Sequence, residues 1–242
     1  MAFLQAGRGD GPFWGDGRQA ILNVPSVVLW LIGILAATHG VRVFLPPALS
    51  SAVLHQLAFT PQHIARIDGL DWTSLAAGAS FAAHMFVHAD ATSVAVECLM
   101  LLAFGSVVAR RFGAWRFLVI FVGAGVAGAL LYLATAWNAP AGIIDATGGI
   151  TAVMLTAIRA TWTSQTRPTV FPPDLAPILS PQVLVTMVLW MSLSFIFAAQ
   201  VVLPAGIGSA LIWQQSLAGA AVGLALSELF DRLMPKISLA GR

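Results

Sequence analysis

Residues 111–136 read RFGAWRFLVIFVGAGVAGALLYLATA, and the fold follows from what can solvate such a stretch. After Arg116 it carries no charge as far as Ala136, close to the roughly 20 apolar residues that a helix needs to cross bilayer hydrocarbon. Gly123, Gly125 and Gly128 lie inside it. In lipid, small residues let helix backbones approach, and the resulting van der Waals contact drives helix association. The turn-forming Asn138 and Pro140 close the run.

Working outward, the same test finds five more apolar runs. They are Pro25 to Phe44, stopped by Pro46 and Pro47; Ala91 to Val108, ahead of Arg110 and Arg111; a shorter, small-residue run from Ala146 to Trp162; Gln182 to Leu203, ended by Pro204; and Gly206 to Phe230. A polar, Pro-rich stretch from Thr163 to Pro181 separates the fourth from the fifth. The interval Pro46 to Asp90 mixes apolar residues with His55, His63, Arg66, Asp68, Asp71, Trp72, His84, His88 and Asp90. It is too polar to span. It reads as a large loop lying in the interface between the first two spans, with short amphipathic pieces such as Leu49 to Phe59 and Trp72 at the polar boundary. Leu75 to Val87, with a His inside, is too short for a seventh span.

The expected fold is therefore an all-α membrane protein of six spans. Residues 1–20 form an N-terminal segment, 21–232 the transmembrane domain and 233–242 a tail. The first 20 residues are polar and Gly-rich, unlike a cleaved signal peptide. Composition agrees, because 58% of the 242 residues are hydrophobic and 9% charged, against roughly 25% charged in a soluble domain. A net charge of +2 gives no reason to expect nucleic acid, and no cofactor is implied. Cys98 is the single cysteine, so no intramolecular disulfide forms and a buried, inert thiol is expected. If the N-terminus is cytoplasmic, ten of the twelve basic residues fall on the cytoplasmic side, with only Arg42 and Arg66 across the membrane. By the positive-inside rule both termini are then cytoplasmic. The fourth and sixth runs, which carry Gly148, Gly149, Gly219 and Gly223, are expected to touch.

The order of these features resembles the bacterial rhomboid family of intramembrane serine proteases. The resemblance is carried by His84-Met-Phe-Val-His88 before the second span, Phe104-Gly105 within it, Arg111-Phe-Gly113-Ala-Trp-Arg116-Phe117 leading into the third, Asp145-Ala-Thr-Gly-Gly-Ile-Thr151 heading the fourth, and Trp213-Gln-Gln-Ser-Leu-Ala-Gly219 with Gly223 in the sixth. It covers most of the chain from about Asn23 to Asp231. It implies the rhomboid scaffold, in which His84, His88, Gly105, Gly113, Arg116, Gly148, Gly219 and Gly223 are structural.

The resemblance also implies where catalytic groups would stand. In the family a serine in a Gly-x-Ser-Gly turn is the nucleophile, a histidine on the sixth helix is its base, and the oxyanion is held by the serine's backbone N–H with a histidine and an asparagine from the second helix. Those positions hold Thr147, Ser216, Ser93 and Glu97, and Asp145 replaces the first glycine of the turn. A hydroxyl without a base is a poor nucleophile, and a carboxylate repels an oxyanion. The implied protein is a pseudoprotease in a bacterial inner membrane, holding transmembrane helices of other proteins or serving as a subunit of a membrane assembly. Its rivals are a peptidase that uses Thr147 or the Glu97/Asp145 carboxylates as an acid–base pair, and a solute or proton pathway past Glu97. The ordinary reading is a cluster of Glu97, Asp145, Thr147 and Ser216 that satisfies its own hydrogen bonds. His84 and His88, four apart, could serve with Asp90 as metal ligands; without a third strong ligand at metal spacing, packing is the ordinary reading.

Overall fold

The computed structural model describes residues 24–67, 69, 72–162, 170–200 and 212–238. Asp68 and Asp71, the 203–206 turn, and Arg8, Arg18, Arg167 and Arg242 lie outside the described residues. Among the described residues the regular structure is helical apart from one two-residue antiparallel pair, Val170–Phe171 (β1) with Ile237–Ser238 (β2). The longer helices are α1 (Ser26–Val43), α5 and α6 (Ala91–Met100 and Ser106–Phe112), α7 (Ala114–Thr135), α8 (Thr147–Thr161), α9 (Pro181–Gln200) and α10 (Ile212–Leu233). A π turn, Leu101–Gly105, joins α5 to α6. Among the described residues three helices are long and apolar enough to cross a membrane: Ser26–Val43, the continuous Ala91–Phe112, and Ala114–Thr135.

The boundaries have local causes. Gly113, at φ 84°, breaks α6 from α7 in a backbone region that L side chains resist. The helix was expected to stop at Val108, before Arg110 and Arg111, yet it runs to Phe112. Charge does not end a helix when the long side chains can turn back to polar partners. Arg110 donates to the Ser106 carbonyl, and Arg111 reaches Asp231 (2.6 Å) and the Pro173 carbonyl (2.7 Å).

The 46–90 segment, expected as a loop with short helical pieces, is mostly helical: α2 (Pro47–Leu57), α3 (Pro61–Ala65), α4 (Trp72–Ala83) and a 3₁₀ turn, His84–Phe86. Pro47 and Pro61 each occupy a first helical position, where the missing N–H costs nothing and φ is preset. The segment is pinned to the loop before α8. Phe59 and Ile143 exchange two backbone hydrogen bonds, and the Asp145 N–H reaches the carbonyls of His84 and Val87.

The core is built where α7, α8 and α10 meet. A Cβ at Gly219 would overlap the Gly148 carbonyl oxygen, and one at Gly223 would sit 2.6 Å from the Ala152 Cα. The expected contact between the fourth and sixth apolar helices is thus made backbone to backbone. Gly125 admits Met85 and Gly128 admits Gln215 in the same way. Outside, large apolar side chains face away from the protein: Trp30, Leu99, Leu130, Val188 and Leu189 are all exposed. Cys98, expected to be buried, is only half-buried, because α5 turns its neighbour Leu99 outward.

Candidate functional site

The head of α8 is the natural place for a site. The first N–H groups of a helix have no partner within it and aim their dipoles outward. Here side chains of the protein take two neighbouring donors. Ala146 donates its N–H to Glu97 Oε1 at 3.0 Å, and Thr147 donates its N–H to Asp145 Oδ1 at 2.9 Å. Asp145 reaches that position because it adopts φ 80°, a left-handed conformation that among non-glycine residues Asp and Asn tolerate best. Asp145 thus makes the tight turn before α8 and adds a carboxylate to it.

Glu97, buried on α5, is held at its other oxygen by His88, whose Nε2 lies 2.6 Å from Oε2. Nε2 carries the hydrogen, since the carboxylate oxygen accepts. Burial alone would lower the His88 imidazole, but the charge of Glu97 and the hydrogen bond to it outweigh burial and hold it above its ordinary value. Asp145 is pushed up to about 7, first by burial and then by the negative charge of Glu97.

His84 is separate. Its Nδ1 lies 3.0 Å from the Ser80 carbonyl and so carries the proton, and burial lowers the imidazole to about 4, leaving it neutral. The sequence placed His84 and His88 on one helical face. In the structure His84 starts the 3₁₀ turn while His88 follows it in non-helical backbone, so each finds its own partner. No group of three metal-ligating side chains forms among the described residues.

The remaining candidate residues are spread. Ser93 lies one turn before Glu97, and its backbone N–H is capped by Asp90. Ser216 on α10 is buried, and its hydroxyl has no partner among the described residues; Glu97 and Asp145 bond neighbouring backbone N–H groups rather than each other. The Thr147 carbonyl accepts from the Thr151 hydroxyl, which in turn accepts from the Trp190 indole N–H at 2.8 Å. At the other end of the bundle Arg116 lies over the Phe230 ring, and Gly105 packs against Phe117 and Val28.

A family model described as Rhomboid domain matches residues 71–232. The chain belongs to the rhomboid family. No curated protein matches it. Within this rhomboid the sequence reading missed two parts of the site. One is the role of His88 as partner of Glu97, nine residues on; a carboxylate inside a span calls for a partner, and a nearby histidine was the available signal. The other is Gln215, whose side-chain amide donates to the Ile144 carbonyl at 3.3 Å beside the turn. Only the packing of α10 brings it there.

Proposed function

We propose that this rhomboid-family membrane protein is a pseudoprotease whose former catalytic centre is closed by its own carboxylates. The observation that carries the reading is Glu97, which bonds His88 through one oxygen and the Ala146 N–H through the other. Asp145 takes the Thr147 N–H, the backbone donor that an oxyanion would need. The base position holds Ser216, whose hydroxyl cannot take a proton near neutral pH. The scaffold then serves to hold transmembrane helices of client proteins or to anchor a membrane assembly, from the inner membrane of a bacterium, with six spans and both termini cytoplasmic. Outward apolar residues on α9, among them Leu184, Val185, Val188 and Leu189, offer a helix-sized face and support this part of the reading. Co-purification in mild detergent should return a defined membrane partner. Cysteine labelling at Trp72 and Lys236 should place them on opposite sides of the membrane.

The decisive assay is incubation of the protein in liposomes with a tagged transmembrane substrate of active rhomboids. No cut product is expected, and fluorophosphonates should not label Thr147. Cleavage that disappears on Thr147→Ala or Glu97→Gln overturns the reading. Single restorations should also stay silent, because groups that work as a catalytic unit are strongly non-additive. Only Thr147→Ser, Ser216→His, Glu97→Asn, Ser93→His and Asp145→Gly together rebuild nucleophile, base and donors.

One observation favours the carboxylate peptidase instead. Asp145 is raised to about 7 beside the charge of Glu97, the pattern of an acid–base pair. Against it stands the engagement of both Glu97 oxygens, which leaves neither free to activate water.

A further inference from the structure

A second place in the molecule combines polar groups with apolar walls, and it is independent of the pseudoprotease reading. Between the last turns of α1, helix α2 and residues 86–88 lies a cavity of about 320 Å³, at the lower end of ligand-pocket sizes (about 300–1,000 Å³). Ala37, Val41, Val53 and Leu57 supply its apolar lining. Val41 is 65% exposed, so the cavity reaches the surface at the end of a membrane-crossing helix, the depth of lipid headgroups.

The polar groups in it are unevenly satisfied. The Thr38 hydroxyl donates to the Phe86 carbonyl at 2.7 Å. Arg42 donates from Nη1 to Ser50 (3.0 Å) and from Nη2 to the Ala89 carbonyl (2.7 Å), while its buried Nε–H has no partner among the described residues. His39 Nδ1 lies 3.4 Å from the same guanidinium. Arginine only donates, so Nδ1 accepts and the imidazole keeps its hydrogen on Nε2. His88 also lines the cavity, fully buried, with Nδ1 unpartnered. Arg42 makes no direct ion pair with a carboxylate among the described residues; Asp90 acts on it only through its charge, while its Oδ1 caps Ser93. A guanidinium with an unspent N–H, no ion-pair partner and an apolar wall beside it suits a molecule that is anionic at one end and hydrocarbon along the rest.

We propose that this groove binds an anionic phospholipid of the surrounding bilayer, with its phosphate on the Arg42 guanidinium and one acyl chain along Ala37, Val53 and Leu57. A zwitterionic lipid brings its own cation next to the guanidinium, so a net negative headgroup is selected over it.

The test is native mass spectrometry of the delipidated full chain, titrated with phosphatidylglycerol or phosphatidylcholine of identical acyl chains. The unmodified protein should take up phosphatidylglycerol at about tenfold lower concentration, equivalent to about 1.4 kcal/mol. Arg42→Gln should abolish the preference. Ala37→Trp, which touches none of the Arg42 partners, should reduce uptake of both lipids by filling the groove. If Arg42→Gln fails to fold, the Ala37→Trp comparison still decides. Equal uptake of the two lipids by the unmodified protein, or phosphatidylglycerol uptake unchanged by Ala37→Trp, overturns the proposal.

Discussion

The two ends of the α8–α10 pair bury polar groups in opposite ways. At the far end Arg159, with 2% of its surface exposed, engages all three nitrogens of its guanidinium. Nε donates to the Ala176 carbonyl at 2.8 Å, Nη1 to Ser227 at 2.7 Å, and Nη2 to Glu228 at 2.6 Å. At the near end Glu97 and Asp145 are held by backbone N–H groups and His88, but Ser216 Oγ, Gln215 Oε1 and His88 Nδ1 have no partner among the described residues. A staple is satisfied donor by donor, because an unpaired charge in a low-dielectric interior is costly. The near end keeps loose ends that the far end does not.

The comparison predicts that the far end matters most for stability. Arg159→Met removes the buried partner of the pair and leaves the Ala176 carbonyl without its donor, while Ser227 keeps the Leu224 carbonyl and Glu228 keeps Arg232. Breaking such a pair costs about 3–5 kcal/mol. Unfolding in mixed micelles with increasing dodecyl sulfate should show a loss of that size. A loss below about 1 kcal/mol would mean that the far end is no better satisfied than the near one.

Next in size is the seam that joins the two ends. Gly219→Leu drives a side chain into the Gly148 carbonyl, where backbone rather than a flexible chain must yield. Overpacking costs about 1–3 kcal/mol, and rigid backbone places this case near about 3 kcal/mol. Melting in detergent should fall clearly. An unchanged melting point would show that the helices can separate there and that the two ends are energetically independent.

Much of this fold was legible because its signals are local. The span read from Trp115 to Ala136 is helix α7 over Ala114–Thr135, fixed by Gly113 on one side and by Asn138, at φ 70°, on the other. The turn before α8 was read only through the family resemblance; the left-handed backbone of Asp145 and its bond to the Thr147 N–H were not legible. Arg159 was not legible. It was read as a basic residue marking the cytoplasmic side, and its burial depends on Ser227 and Glu228, distant in sequence and brought close only by helix packing. Glu97 was recognised as an intramembrane carboxylate, but its partners were not. His88 approaches it only because the 3₁₀ turn ends at Phe86, and Ala146 only because α5 and α8 pack together.

The near end answers to smaller changes. Glu97→Gln keeps an oxygen for the Ala146 N–H but replaces a charged acceptor opposite His88 with a neutral group. Hydrogen bonds to charged groups are worth about 1.5–3 kcal/mol, so a destabilisation of about 2 kcal/mol is expected. Glu97→Ala should cost more, since both His88 and the Ala146 N–H then lose their partner. Chemical-shift changes at the His88 imidazole, with 15N-labelled histidine, should accompany both variants. If Glu97→Gln is neutral and the His88 signals do not move, the carboxylate does not hold the site closed.

The smallest effect separates a loose end from a hidden bond. Ser216 is buried on α10 with a hydroxyl that no described residue meets. Removing a polar group that is already unsatisfied should be neutral or slightly favourable, because burying a hydroxyl without a hydrogen bond is itself destabilising. Ser216→Ala should therefore stay within about 0.5 kcal/mol of the parent, or above it, while Ser227→Ala at the far end removes a made bond to Arg159 and should cost about 1–3 kcal/mol. Measuring both in the same background cancels differences in helix propensity on α10. Equal losses at the two serines would show that Ser216 is hydrogen-bonded after all, through a buried water of the kind polar cavities hold. The near end would then be as complete a staple as the far one, and the difference between the two ends would lie in charge alone.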